Sequence, residues 1–254
     1  LGQLVVTETL GNVLTITINR PEKRNAVDKA TAEAIGVAVD ALDKDDDLRV
    51  AILTGAGGTF CAGMDLQAFA RGERPVTEQR GFAGICTVPP CKPIIAAVEG
   101  HALGGGLELA MACDLIVAGS DVRFGLPEVR RGLVAAAGGL LRLPRKVASQ
   151  IAMEMVLTGQ PIDAQRAANL GLINRITEPG HALAAAIEIA EAIAANAPLA
   201  IQASKEIVTR SQDWELVKAF ELQRSAVQAV MASQDAHEGA VAFAEKRKPV
   251  WRGL

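Results

Sequence analysis

The sequence predicts an α/β fold, on three observations. The N-terminal half to two-thirds alternates strand-like runs, glycine loops and helical patterns, the signature of βα units. After about residue 138 nearly every segment reads as helix. The apolar half of the 254 residues is almost all Ala, Val, Leu and Ile, with 3% aromatics and no tyrosine, so the core must be built from small aliphatic side chains packed closely.

The elements follow in order. "LVVTE" and "VLTITIN" alternate as strands and are separated by Gly11-Asn12, a turn pair. "RPEKRNAVD" breaks the pattern, and Asp28 is placed to cap a helix running to about Asp43. "LRVAILTG" reads as a buried strand and "AGGTFCAGMDL" as the glycine-rich loop behind it. A short helical region follows, then the buried strand "KPIIAAVEG", the stretch "HALGGGLELAMACD", and a strand "LIVAGSDVRFG". Helices are expected over 138–156, 163–169, 180–196, 198–210, 213–231 and 234–246. The natural division is a core of 1–190 with a helical region, 191–254.

Composition excludes several function classes. A formal net charge of −3 gives no general attraction to nucleic acid. Cys61, Cys86, Cys91 and Cys113 form no CxxC pair and the three histidines are widely spaced, which argues against a zinc site and a disulfide framework. The apolar runs are too short to span a bilayer, and no signal-peptide pattern is visible at the start, so a cytoplasmic protein that does not enter a membrane is expected.

Chemistry concentrates in three stretches. In "HALGGGLELAMACD" a helix starting at Gly104–Gly106 leaves first-turn N–H groups free, glycine lets a ligand approach them, and the helix dipole adds a positive field. Gly105 N–H can therefore donate to a developing oxyanion; a plain strand-to-helix junction is the competing reading. The spacing is neither GxGxxG nor a phosphate loop. Glu108 lies one turn on, among apolar neighbours that should raise its pKa into the range useful for acid–base work. In "FGLPEVRRG", Glu128 is either a second pocket acid or part of a solvated cluster with Arg130 and Arg131. In "GTFCAGMDL", at the carboxyl end of a buried strand, Met64 N–H is a second candidate donor, Asp65 a helix cap, and Cys61 a small buried hydrophobe.

Taken together, "VLTITINRPEKRNAVD", "GGTFCAGMDL", "KPIIAAVEGHALGGGLELAMACDLIVAGSDVRFGLPEVRRGLVAAAGGLLRLPR", "AMEMVLTGQPIDAQRAANLGLINRI" and "FAEKRKPVW" resemble the crotonase, or enoyl-CoA hydratase/isomerase, family, in order and over essentially the whole chain. The resemblance implies a spiral of stacked ββα units with a helical C-terminal trimerisation region, assembled as a homotrimer or as a hexamer of two trimers. It implies an acyl-CoA thioester substrate, with coenzyme A part of that substrate and no metal or other cofactor. It places an oxyanion hole at the backbone N–H groups of Met64 and Gly105, and catalysis at Glu108 and Glu128. CoA contacts fall to Lys23, Ala62, Asp65 and Leu66, and to Lys248 and Trp251 reaching a neighbouring subunit's ligand.

Retention of both glutamates is similar to hydratases, which add water syn across a 2,3-double bond of a 2-enoyl-CoA in fatty-acid or steroid side-chain breakdown. An enoyl-CoA isomerase, a carnitinyl-CoA-type dehydratase, and an acyl-CoA binding or assembly protein without turnover stand as alternatives. Three departures bear on substrate choice: Ala135 and Ala136 replace a usual proline and glycine, Gln67 stands where a lysine is common, and the 71–91 segment lies where relatives vary.

Overall fold

The computed structural model describes residues 3–254. The chain order is β1 (Val5–Leu10), β2 (Val13–Ile18), α1 (Lys29–Lys44), β3 (Val50–Gly55), α2 (Leu66–Ala70), β4 (Val76–Thr77), β5 (Gly81–Phe82), β6 (Ile94–Val98), β7 (His101–Leu103), α3 (Gly105–Ala112), β8 (Leu115–Gly119) and β9 (Arg123–Gly125). Then come α4 (Gly139–Lys146), α5 (Ser149–Thr158), β10 (Ile162–Asp163), α6 (Ala164–Asn169), β11 (Arg175–Thr177), α7 (Ala182–Ala194), α8 (Pro198–Arg210), α9 (Leu216–Leu222), α10 (Arg224–Met231) and α11 (Gln234–Glu245).

The main sheet has six strands in the order β1-β2-β3-β6-β8-β11. Only the β1–β2 hairpin is antiparallel, closed at Leu10↔Val13 around Gly11 at φ 57°. Its central parallel strands β3, β6 and β8 are mostly continuous apolar runs, as expected for a sheet covered on both faces. One face packs on a large cluster that includes Ile16, Ile35, Leu53, Phe60, Leu107 and Phe124; the other packs on the alanine stripe of α7, Ala182, Ala185, Ala186 and Ala190. The small side chains let that helix lie close to the sheet, which is where the alanine-rich composition is used.

A second, three-stranded layer has the order β10-β9-β7, with β7 and β9 parallel at His101↔Arg123. An isolated parallel bridge, Cys61↔Ala102, extends it by one turn of chain. Each pass thus lays one strand in the main sheet (β3, β6, β8) and the next residues in the small layer (Cys61, β7, β9). This repetition is the spiral of ββα units.

Three expectations are corrected. "LIVAGSDVRFG" is two strands, because the chain turns at Ser120–Asp121 and changes layer between β8 and β9. The helix over 138–156 breaks at Val147, whose extended backbone (φ −133°, ψ 163°) separates α4 from α5, with Pro144 in the last turn of α4. The helix over 213–231 is a 3-10 turn at Ser211–Asp213 followed by α9 and α10. The cap on α1 is as expected: Asp28 accepts from Thr31 N–H at 2.9 Å. Among the described residues, no single helix is long and apolar enough to cross a membrane.

Candidate active site

Three loops meet beyond the carboxyl ends of the small layer. Met64 lies three residues past the Cys61 bridge, Gly105 two residues past the end of β7, and Glu128 three residues past the end of β9. The loop carrying Met64 therefore follows a strand-like position in the second layer, not β3 directly.

The glycines set the distances. A Cβ on Gly63 (φ 97°) would lie 2.8 Å from Leu103 O and 3.0 Å from Gly105 N, so the two backbones run side by side and the Met64 peptide lies next to Gly105 N–H. Among the described residues, neither Met64 N–H nor Gly105 N–H donates within the chain. Two adjacent N–H groups, one of them in the first turn of α3, are thereby able to donate to the same anionic oxygen.

Each glycine of the triplet has a different reason to lack a side chain. Gly104 is the N-cap of α3, at φ 56° and ψ −127°, and a Cβ there would meet Glu128 Oε1 at 3.1 Å. Gly105 would meet the Phe82 ring at 2.5 Å, and Gly106 the Cys61 carbonyl oxygen at 2.0 Å. Gly104→Ala is thus expected to strain the cap and displace Glu128, lowering turnover by about tenfold or more while the fold holds. Steady-state rates beside a far-UV spectrum check it.

The first acid, Glu108, is only 4% exposed. Its Oε1 accepts from Gly139 N–H at 2.8 Å. Burial drives its pKa up to about 7, with the nearby Glu128 charge adding to the rise and the Gly139 and Ala137 N–H groups and Arg142 opposing it. Glu128 sits in a 3-10 turn, Pro127–Arg131, and is half-buried. Burial raises its pKa too, against Arg131, and its Oε2 is buried without a hydrogen-bond partner. A carboxylate oxygen left unpaired beside a second buried carboxylate is costly unless something donates to it. Arg130 does not pair with Glu128, its Nε donating to Thr158 O at 3.2 Å, whereas the charge of Arg131 does act on Glu128.

The loop before Met64 is held by a buried polar network. Arg20 pairs with Asp65 (3.1 Å) and Asp28 (3.0 Å), and Asn25, at φ 55°, donates to Ala56 O and Thr59 O. Although burial works against its charge, N–H groups of Ala68 and Gln67 and the Arg20 guanidinium hold the Asp65 carboxyl below its usual range. Asp65 caps α2. With its N–H also given to Val27 O at 2.9 Å, it stabilises the loop, and its side-chain oxygens already accept from Arg20, Gln67 and Ala68.

Of the other residues assigned to CoA, Lys23 is exposed and donates to Gln67 Oε1 at 2.6 Å, beside half-buried Ala62 and exposed Leu66. These surround the Met64 loop. Lys248 and Trp251 are elsewhere: the Trp251 indole donates to Ala195 O at 2.8 Å, and its carbonyl accepts from Arg49, at the opposite end of β3 from Gly55. Cys61 is fully buried with its thiol pushed up to about 12, inert as a nucleophile. His101 is exposed. Among the described residues, no three His, Cys, Asp or Glu side chains gather as metal ligands. Sequence reasoning missed Phe82, Gly139 and Arg142, which contact the site through ring packing and main-chain atoms.

Residues 8–253 match the family model described as enoyl-CoA hydratase/isomerase. The fold superposes with a TM-score of 0.97 on an enoyl-CoA hydratase from Mycobacterium tuberculosis H37Rv, 55% identical and covering 99% of both chains. It superposes at 0.80 on a carnitinyl-CoA hydratase from Mycobacterium avium, 42% identical and covering 100% of both. A carnitinyl-CoA dehydratase of Proteus mirabilis (strain HI4320) is 43% identical over 253 residues, 96% of this chain and 97% of that one.

Proposed function

Since the chain belongs to the enoyl-CoA hydratase/isomerase family, with hydratase-type chemistry on an acyl-CoA substrate, we propose that it is an enoyl-CoA hydratase adding water across the 2,3-double bond of a 2-enoyl-CoA. The observation that carries this reading is the buried carboxyl of Glu108, its pKa raised in part by the charge of half-buried Glu128, beside the Met64 and Gly105 N–H groups.

The thioester oxygen accepts from Met64 and Gly105 N–H, which stabilise the negative charge it gains as an enolate. Water lies between the two carboxyls. One, ionised, takes a proton as the water oxygen bonds to C3; the other, protonated, gives its proton to C2 as the enolate collapses. The sum is one water added, with the pair keeping a single shared proton. The charge of Glu128 raises the pKa of Glu108, so the acid and base roles are assigned to the two together. CoA is carried by the substrate, with Lys23, Ala62 and Leu66 around the Met64 loop as its contacts in the same chain, and Lys248 and Trp251 serving a neighbouring subunit in a homotrimer or hexamer.

The same carboxyls and N–H donors would serve an uncharged 2-enoyl-CoA and a carnitinyl-CoA, so trials with both separate the two readings. Incubation with crotonoyl-CoA, longer 2-enoyl-CoAs, a steroid-derived enoyl-CoA and carnitinyl-CoA tests this. Loss of the enoyl chromophore with at least one uncharged substrate is expected. Turnover of carnitinyl-CoA alone would move the protein to the dehydratase reading, and no turnover of any would leave acyl-CoA binding as the function.

A further inference from the structure

Arg142, four residues into α4, has no place in the reaction described above, yet its guanidinium stands between two segments that border Glu108. Its Nη2 donates to Cys86 O at 2.6 Å, in the 71–91 segment, and its Nη1 reaches Ala137 O at 3.5 Å. The next two residues are Gly138 and Gly139, and Gly139 N–H donates to Glu108. Gly138 (φ 106°) lies directly under the guanidinium: a Cβ there would be 2.1 Å from Nη1.

We infer that Arg142 is a positioning residue for Glu108, acting through the Ala137–Gly139 turn that it ties to the 71–91 segment. The planar fork fixes two carbonyls from separate segments at once, which lysine cannot reproduce. The tie aims Gly139 N–H at Glu108 Oε1, and the cation opposes the burial that disfavours the ionised carboxylate. The charged and titratable groups facing Glu108 are Glu128 from the 3-10 turn, Cys86 from the 71–91 segment and Arg142 from α4. Arg142 is the cation among them. Lys146, one turn further along α4, is half-buried, and the charged or titratable groups that act on it are Asp114, Cys113 and Arg142. The proposal rests on Glu108 being a reacting carboxyl, but the titration that tests it does not depend on turnover.

R142Q and R142K proteins carrying glutamate labelled with 13C at Cδ would be titrated by NMR, the Glu108 signal being the one absent from E108Q. In R142Q the midpoint should rise by about one pH unit, since an opposite charge has been removed, whereas R142K should stay near wild type. With a hydrated enoyl-CoA, kcat should fall about tenfold in both, with KM changed by less than about threefold, because the Gly139 donor is loosened. An unmoved midpoint in R142Q would overturn the proposal, as would a wild-type kcat in R142K should R142Q fail to fold. A wild-type protein that hydrates nothing refutes the hydratase reading separately, leaving the midpoints to decide on Arg142.

Discussion

Glu108→Gln is expected to lower kcat for a 2-enoyl-CoA by about 10³-fold, within the range general acid–base groups supply, while acyl-CoA binding changes little. The amide keeps the shape of the acid and, through its Oε1, the bond from Gly139 N–H, but it cannot exchange a proton. The same substitution should alter stability in a pH-dependent way. The folded-state pKa of Glu108 is raised from 4.5 to about 7, so the native protein binds more protons than the unfolded chain between those values. The contribution of Glu108 to stability is present in full below pH 4.5 and is lost as the pH rises through 7. At pH 8 the wild type therefore carries a penalty on the order of 3 kcal/mol, which Gln lacks. E108Q should be the more stable protein at pH 8, with the gap closing toward pH 4.5. Thermal melts across that window, beside rate measurements, check both halves.

A comparable loss, again about 10³-fold in kcat, is expected for Glu128→Gln, with a shifted pH profile of the residual activity. Glu128 is half-buried on a short 3-10 turn, and its Oε2 has no donor of its own. Gln removes the charge that raises the pKa of Glu108, so the remaining carboxyl should ionise at lower pH. Residual activity in E128Q should accordingly lose its acid limb at lower pH than the wild type. A double E108Q/E128Q variant should fall little below either single one, because the residues act as a unit. Losses that multiplied would show that the carboxyls act separately.

Gly105, Glu108 and Met64 could be singled out as candidates because their signals are local: a glycine at a helix start, an acid one turn on, an N–H in a glycine loop. The α1 cap at Asp28 was legible for the same reason. The approach of the three site residues to one another is not local, since it depends on Gly63 packing against Leu103 and Gly105. What was not legible depends on contacts between distant segments. A change of layer at Ser120–Asp121 leaves no mark on an apolar run, so two strands read as one. Extended Val147 divides α4 from α5 although the apolar spacing continues across it. Arg142 meets Cys86 and Ala137 through their carbonyls, and a main-chain acceptor is the same whatever residue bears it. The cap role of Asp65 was legible locally, but its ion pair with Arg20, 45 positions earlier in sequence, was not.

The central claim is that two carboxyls on one side of the substrate add a single water to it. Its most direct test is hydration of crotonoyl-CoA in D2O, with the 3-hydroxyacyl product analysed by proton NMR for the relative configuration at C2 and C3. One deuterium at C2, on the same face as the new hydroxyl and in a single diastereomer, is the predicted result. A mixture of diastereomers, or deuterium on the face opposite the hydroxyl, would contradict it.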